Sequence, residues 1–271
     1  MIELNSIYNG DACDVMKGID DGTIDCVVTS APYDNLRNYS NPSNSWNFEV
    51  FQKVASELFR VLKDGGVVVW IINDKVEKGS KTLTSFKQAL YFKEVGFNVN
   101  DIMIWYKGNP MPQVAQPRYL GSYEYMMIFS KGKPKTFNPI MRKCAESGKH
   151  YTSTVKNMGG ESGRRDIDYF VNEETVEHNL WRIGVAQNKR LFEIDGEKVK
   201  HPAVFPYQIA YNHVKTWTNE GDVVLDPFIG SGTTALACIN LKRNYIGIDI
   251  NETYCKMSQI AINELKKEKN L

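Results

Sequence analysis

Two short stretches at opposite ends of this 271-residue sequence carry residue types that hold ligands and steer reactions. The first, Thr29-Ser30-Ala31-Pro32-Tyr33, sets a hydroxyl, a proline and an aromatic ring at the exit of a β-rich run. The second, Val223-Val224-Leu225-Asp226-Pro227-Phe228-Ile229-Gly230-Ser231-Gly232-Thr233-Thr234, delivers an acid from a strand into a glycine turn that opens a helix. Gly230 and Gly232 let the backbone turn tightly and approach a ligand without Cβ clashes. A nucleotide phosphate is a rival ligand for such a turn, but a P-loop requires Lys-Ser/Thr after its last glycine, and Thr233-Thr234 brings no lysine. Tyr245-Ile246-Gly247-Ile248-Asp249 places a second acid at a strand end about twenty residues beyond the glycines, where a carboxylate can accept both hydroxyls of a ribose. Asp249 also suits a helix N-cap ahead of Glu252, and the two roles are compatible. Asn9-Gly10-Asp11, read alone, is an ordinary turn.

Other chemistries find no support. The five cysteines (Cys13, Cys26, Cys144, Cys238, Cys255) are scattered, without zinc-site spacing or the density of a disulfide scaffold, which predicts reduced thiols in a cytoplasmic setting. His150, His178, His201 and His213 lack metal-ligand spacing, so no metal is expected. No apolar run approaches the roughly 20 residues that cross a bilayer. The formal net charge of +1 announces no global field for a polyanion, so any nucleic-acid surface must be a local patch.

The elements that must position these residues are legible as alternation. Runs at Ser6 to Tyr8, Asp25 to Thr29, Gly66 to Ile72, Asp101 to Trp105, Tyr125 to Phe129, Val223 to Leu225 and Tyr245 to Ile248 are β-rich and turn-bounded, as buried strands are. Helical spacing over Glu49 to Leu62, about Thr84 to Val95, and Thr233 to Leu241 supplies crossovers, and this repetition predicts a mainly parallel sheet. Between Lys131 and Lys200 the rhythm fails and few strand-like runs occur. This stretch holds fourteen Lys/Arg against ten Asp/Glu, and reads as an inserted lobe with phosphate contact in prospect, or as a solvated excursion. Asp34 to Asn47, polar and with Arg37, Tyr39 and Trp46, reads as a loop able to close over a substrate.

The two motifs together, with the catalytic one first and the cofactor one last, resemble the beta group of DNA amino-methyltransferases, whose (Asp/Asn/Ser)-Pro-Pro-(Tyr/Phe) turn is matched by Ser30 to Tyr33. The resemblance runs from Asn9 through Asp249. It implies an α/β, Rossmann-like S-adenosylmethionine-dependent methyltransferase fold. The expected sheet is mainly parallel and seven-stranded with a reversed last hairpin. Residues 1–130 and 201–271 would form the catalytic domain and 131–200 a target-recognition lobe. S-adenosylmethionine would lie on Asp226, Phe228, Gly230, Ser231, Gly232 and Thr233, with Asp249 on its ribose. Asp11 would accept from its adenine amino group, and Phe205, in His201-Pro202-Ala203-Val204-Phe205-Pro206, would flank its methionine part. Arg118-Tyr119, Glu124-Tyr125 and Trp181-Arg182 resemble the family more weakly and are equally packing residues. Implied partners are double-stranded DNA, a cognate restriction endonuclease and a second copy of the chain.

An exocyclic amino group is a poor nucleophile because its lone pair is delocalised into the ring. On this resemblance, Ser30 Oγ and the Ala31 carbonyl accept its hydrogens and aim the lone pair at a sulfonium methyl, Pro32 holds residue 31 extended, and Tyr33 stacks on a base flipped from the duplex. Ala31 departs from the family's proline, which keeps the carbonyl but loosens the turn. Serine before the proline pair leans toward cytosine-N4 over adenine-N6. Two readings of other classes stand beside it: a DNA-binding protein impaired through Ala31, and a protein-glutamine methyltransferase, whose cofactor loop comes first.

Overall fold

The computed structural model describes residues 2–32, 46–110, 117–156, 164–185, 191–194, 196–200 and 206–270. These divide into two compact units, Met1–Asn138 with Asn179–Leu271, and Pro139–His178.

In the larger unit the described strands β1 (Ser6–Asn9), β2 (Ile24–Ser30), β3 (Leu62–Ile72), β4 (Asn98–Tyr106), β5 (Tyr123–Ser130), β6 (Leu180–Arg182), β7 (Val223–Asp226) and β8 (Asn244–Asp249) form one sheet in the order β1-β8-β7-β2-β3-β5-β4-β6. All neighbours pair in parallel except at β5, which runs against both β3 and β4. The expected seven strands are thus joined by an eighth at the edge, Leu180–Arg182, because Trp181 buries its ring against His213, with centroids 4.7 Å apart.

The central strands read as continuous β-branched runs because both of their faces are covered. Cys26, Val27 and Val28, and Val67 to Ile72, are all buried. Helix α1 (Ala12–Met16) follows β1, α2 (Phe48–Val61) joins β2 to β3, and α3 (Thr84–Val95) joins β3 to β4. Helix α4 (Tyr207–Trp217) precedes β7, α5 (Thr233–Asn240) joins β7 to β8, and α6 (Glu252–Lys269) closes the fold. In α2, Phe51, Val54, Ala55, Leu58 and Val61 fall on one stripe and are buried, and the Asn47 side chain caps the first turn by accepting from Val50 N. Phe51 packs edge-on to Trp70 and Phe92, and Phe92 stacks on Phe129 at 4.4 Å, so an aromatic layer fixes α2 and α3 to β3 and β5.

The smaller unit is built from antiparallel ribbons, Met141–Lys143 with Glu174–Val176 and His150–Lys156 with Arg164–Phe170. Composition suggested few strands over 131–200. The ribbons escape that reading because none of their described side chains is buried, with Met141, Tyr169, Phe170 and Val176 all exposed, so no apolar alternation marks them. Residues 131–138 and 179–200 belong to the larger unit, where Phe192 and Ile194 pack against Tyr254, Met257 and Ala261 of α6. The positive charge does not sit in the compact unit, since 139–178 carries six Lys/Arg against seven Asp/Glu.

Candidate active site

The crossover from β7 leads one way, through α5 to β8, and the crossover from β2 leads the other way, through α2 to β3. In an open α/β sheet a ligand crevice opens at the strand ends where the order reverses. Here that point lies between β7 and β2, adjacent parallel strands paired at Val224↔Cys26 and Leu225↔Val27. The glycine turn leaves β7 and the Ser30-Ala31-Pro32 turn leaves β2, so both emerge at the same edge.

A buried hydrogen-bond network joins them. Thr29 Oγ1 donates to Asp226 Oδ1 at 2.6 Å, Thr234 Oγ1 donates to Asp226 Oδ2 at 2.7 Å, and Phe228 N donates to Oδ1 at 3.1 Å. Asp226 therefore ties the end of β2, its own strand and the first turn of α5 into one body. Both its oxygens accept from protein donors, which holds the turn in place. Burial raises its carboxyl from the ordinary 3.8 to about 6, although all three hydrogen bonds pull the other way.

Asp249, at the end of β8, lies under the same turn. Its Oδ2 accepts from Gly230 N at 3.0 Å and its Oδ1 from Asn251 N at 2.9 Å. Asn251, rather than Asp249, caps α6, its side chain accepting from Thr253 N and Tyr254 N. Burial raises the Asp249 carboxyl to about 6 as well. A carboxyl raised in the folded state binds a proton more tightly there than in the unfolded chain. The stability contributed by Asp226 and Asp249 is therefore greatest at acid pH and is lost as pH rises from about 4 to about 6.

The turn itself is moulded onto its surroundings. Gly232 has φ +89°, and a Cβ there would stand 3.1 Å from Ser258 Cα, while Ser258 Oγ donates to the Gly230 carbonyl at 2.6 Å. Beneath it a Cβ on Gly247 would meet Ile7 Cδ1 at 2.6 Å and Ile229 Cγ1 at 2.9 Å, so the loop can lie on β8 only because residue 247 has no side chain. Gly232→Ala is expected to cost about 1–2 kcal/mol from the left-handed backbone alone. A fall of roughly 2–8 °C in melting temperature checks it.

Asp11 caps α1, its Oδ1 accepting from Cys13 N at 2.9 Å and Asp14 N at 3.3 Å, beside the Asn9↔Asp249 pair at the same sheet edge. Phe228 is half-buried and meets Trp46 edge-on at 5.1 Å and Trp70 at 6.1 Å. Ser231 is half-buried and Thr233 buried at the start of α5. Ser30 ends β2 opposite Ile71, Ala31 is buried in the core, and Pro32 is half-buried. Tyr33 and Phe205 lie outside the described residues. Sequence reasoning missed Thr29, Thr234, Ser258, Gly247 and the packing of Trp46, all of which act through partners distant in the chain except Thr234.

A family model described as DNA methylase, covering N6 and N4 enzymes, matches residues 24–260. This chain belongs to the N6/N4 DNA methylase family. The methylase is 46% identical over 246 residues to the orphan methyltransferase M.BamHII of Bacillus amyloliquefaciens, which covers 89% of each chain. It is 28% identical over 280 residues to the type II methyltransferase M.BglII of Bacillus subtilis, spanning 98% of this chain and 71% of that one. The solved PvuII DNA methyltransferase (cytosine-N4-specific) shares the fold, with a TM-score of 0.66 at 20% identity over 94% of this chain and 84% of that one. The methylase is thus an enzyme of site-specific DNA amino methylation. Among its described residues no helix is long and apolar enough to cross a membrane.

Proposed function

We propose that the methylase transfers the methyl group of S-adenosylmethionine to cytosine N4 of a base flipped out of duplex DNA. The observation that carries this is the Thr29–Asp226 hydrogen bond, which locks the exits of β2 and β7 side by side. S-adenosylmethionine supplies an electrophilic methyl group on a sulfonium. Its fit to the turn rests on the carboxylate of Asp249, which accepts from Gly230 N beneath the turn at the edge where β7 and β2 end side by side. Asp249 would hold the ribose hydroxyls, Asp11 the adenine amino group, and Phe228 and Phe205 apolar parts of the cofactor.

At the β2 exit, Ser30 Oγ and the Ala31 carbonyl accept the two amino hydrogens. This draws the nitrogen toward tetrahedral geometry and directs its lone pair across the crevice. The base must leave the duplex because its amino group is otherwise paired. Tyr33 stacks on it there. The ribbon His150–Lys156 with Arg164–Phe170 would read the target, since a two-stranded ribbon fits the major groove.

Serine at position 30 selects cytosine over adenine in this reading. Mass spectrometry of nucleosides from cells expressing the methylase is expected to show N4-methylcytosine. N6-methyladenine in its place overturns the base assignment, and methylated glutamine without methylated DNA overturns the reading as a whole.

Asp249 also sets a pH dependence. An ionised carboxylate is needed to accept ribose hydroxyls, so cofactor affinity is level above pH 7 and falls as pH drops through about 6, by up to tenfold per unit. The cofactor-induced rise in melting temperature should shrink over the same interval. An unchanged shift at pH 5 would remove Asp249 from the site.

A further inference from the structure

We infer that the hairpin following β3, with Lys75 and Lys78 on it, is a phosphate-contacting finger that grips duplex DNA beside the catalytic turn. The inference rests on the reading of duplex DNA as substrate and adds where its backbone is held.

Strand β3 is the parallel neighbour of β2, with Ile71 opposite Ser30, so whatever follows Ile72 emerges at the catalytic edge. Three residues further on, Val76–Glu77 pairs with Ser80–Lys81 in a two-residue hairpin whose turn residues, Lys78 (φ +45°) and Gly79 (φ +82°), both have the positive φ such a turn requires.

The hairpin is stiff. Thr82 N donates to the Lys75 carbonyl at 3.0 Å, Lys81 Nζ donates to the Asp74 carbonyl at 3.0 Å, and Arg118 donates to the Gly79 carbonyl at the tip. At its base the buried Asp74 carboxylate accepts from Ser85 N and Ser85 Oγ, both at 2.9 Å, which ties it to the first turn of α3. Yet the hairpin contributes nothing to the core, since residues 77–81 are all exposed. A short ribbon braced from three sides and packed on nothing is a device for presenting its surface.

What it presents is charge. Lys75, Lys78 and Lys81 lie within seven residues, with Glu77 the one exposed acid among them. Among the described residues the ammonium groups of Lys75 and Lys78 have no partner. Nearby lysines are committed elsewhere, Lys107 to Glu124 at 2.5 Å and Lys87 over the Phe48 ring at 3.8 Å. This finger stands at the substrate edge of the larger unit, where its two ammonium groups are open to phosphates.

The test is duplex affinity against salt for the full chain carrying Lys75→Gln and Lys78→Gln together. Each phosphate contact contributes about 0.9 to the slope of log K against log[salt], so the slope should flatten by roughly two and Kd at about 0.1 M salt should rise on the order of tenfold or more. The loss should be equal on target and unrelated duplexes, because phosphate contacts carry no sequence information. The melting temperature, the cofactor-induced shift and kcat at saturating DNA should stay at wild-type values. A wild-type protein that methylates DNA, beside a double variant with unchanged slope and Kd, overturns the finger alone. A wild-type protein that neither binds nor methylates duplex DNA overturns the substrate reading and the finger with it.

Discussion

Ser30→Ala is expected to lower the rate of methyl transfer by about 10²–10³-fold, the usual loss on removing one pre-aimed polar group from a site where charge is redistributed. The cofactor-induced rise in melting temperature should survive, because Ser30 ends β2 whereas the glycine turn proposed to hold the cofactor leaves β7. Folding should survive too. Ser30 is half-buried at a strand exit, whereas the buried member of the pair is Thr29. Single-turnover transfer with cofactor and DNA both saturating separates this loss from weakened binding. A Ser30→Ala protein that keeps wild-type turnover would show that the serine does not touch the amino group. Tyr33→Ala should also cripple transfer, with a larger share of the effect in DNA binding, since on the proposed reading its ring would stack on the everted base.

Asp226→Ala is expected to destabilise the protein by about 3–5 kcal/mol, because it strands buried donors from Thr29, Thr234 and Phe228 that each cost about 1–3 kcal/mol when unpaired. Cofactor binding should vanish with it, as the turn loses its tie to β2. Asp226→Asn should behave differently. An amide carries no charge to desolvate, its oxygen can still accept from Thr29 and Phe228, and its NH2 can donate to Thr234 Oγ1. That hydroxyl already lies 3.3 Å from the Val28 carbonyl and can turn its hydrogen there. Denaturant melts of the two variants should therefore lie several kcal/mol apart, with Asn near wild type. Equal losses would mean that the negative charge itself, and not the hydrogen-bond geometry, holds the crevice together.

These two residues illustrate what the sequence could and could not convey. Asp226 stood out because it precedes a glycine turn at a strand end, a local pattern with a local cause. Its partner Thr29 did not, because the bond spans 197 positions of sequence and becomes visible only when β2 and β7 lie together. Strands β2, β3 and β7 were legible from unbroken apolar runs, since both of their faces are buried. The ribbons over 139–178 were not legible, because none of their described side chains is buried and side-chain period carries no signal without a core. Leu180–Arg182 was likewise hidden, a three-residue strand marked by one buried tryptophan. Charge misled in a related way. The excess over 131–200 is real, but it lies in segments that pack with the larger unit, and composition cannot assign a lysine to a unit. Asp249 was found by spacing from the glycines, while the helix cap it was also expected to supply is furnished by Asn251.

The most direct test is a crystal structure of the methylase with a non-transferable cofactor analogue and a duplex carrying the target base. The analogue is expected on the turn Gly230 to Thr233. The amino nitrogen should lie about 3–3.5 Å from the transferable position, held by Ser30 Oγ and the Ala31 carbonyl. An analogue bound away from that turn, or an everted base whose amino group meets neither acceptor, would contradict the proposed transfer.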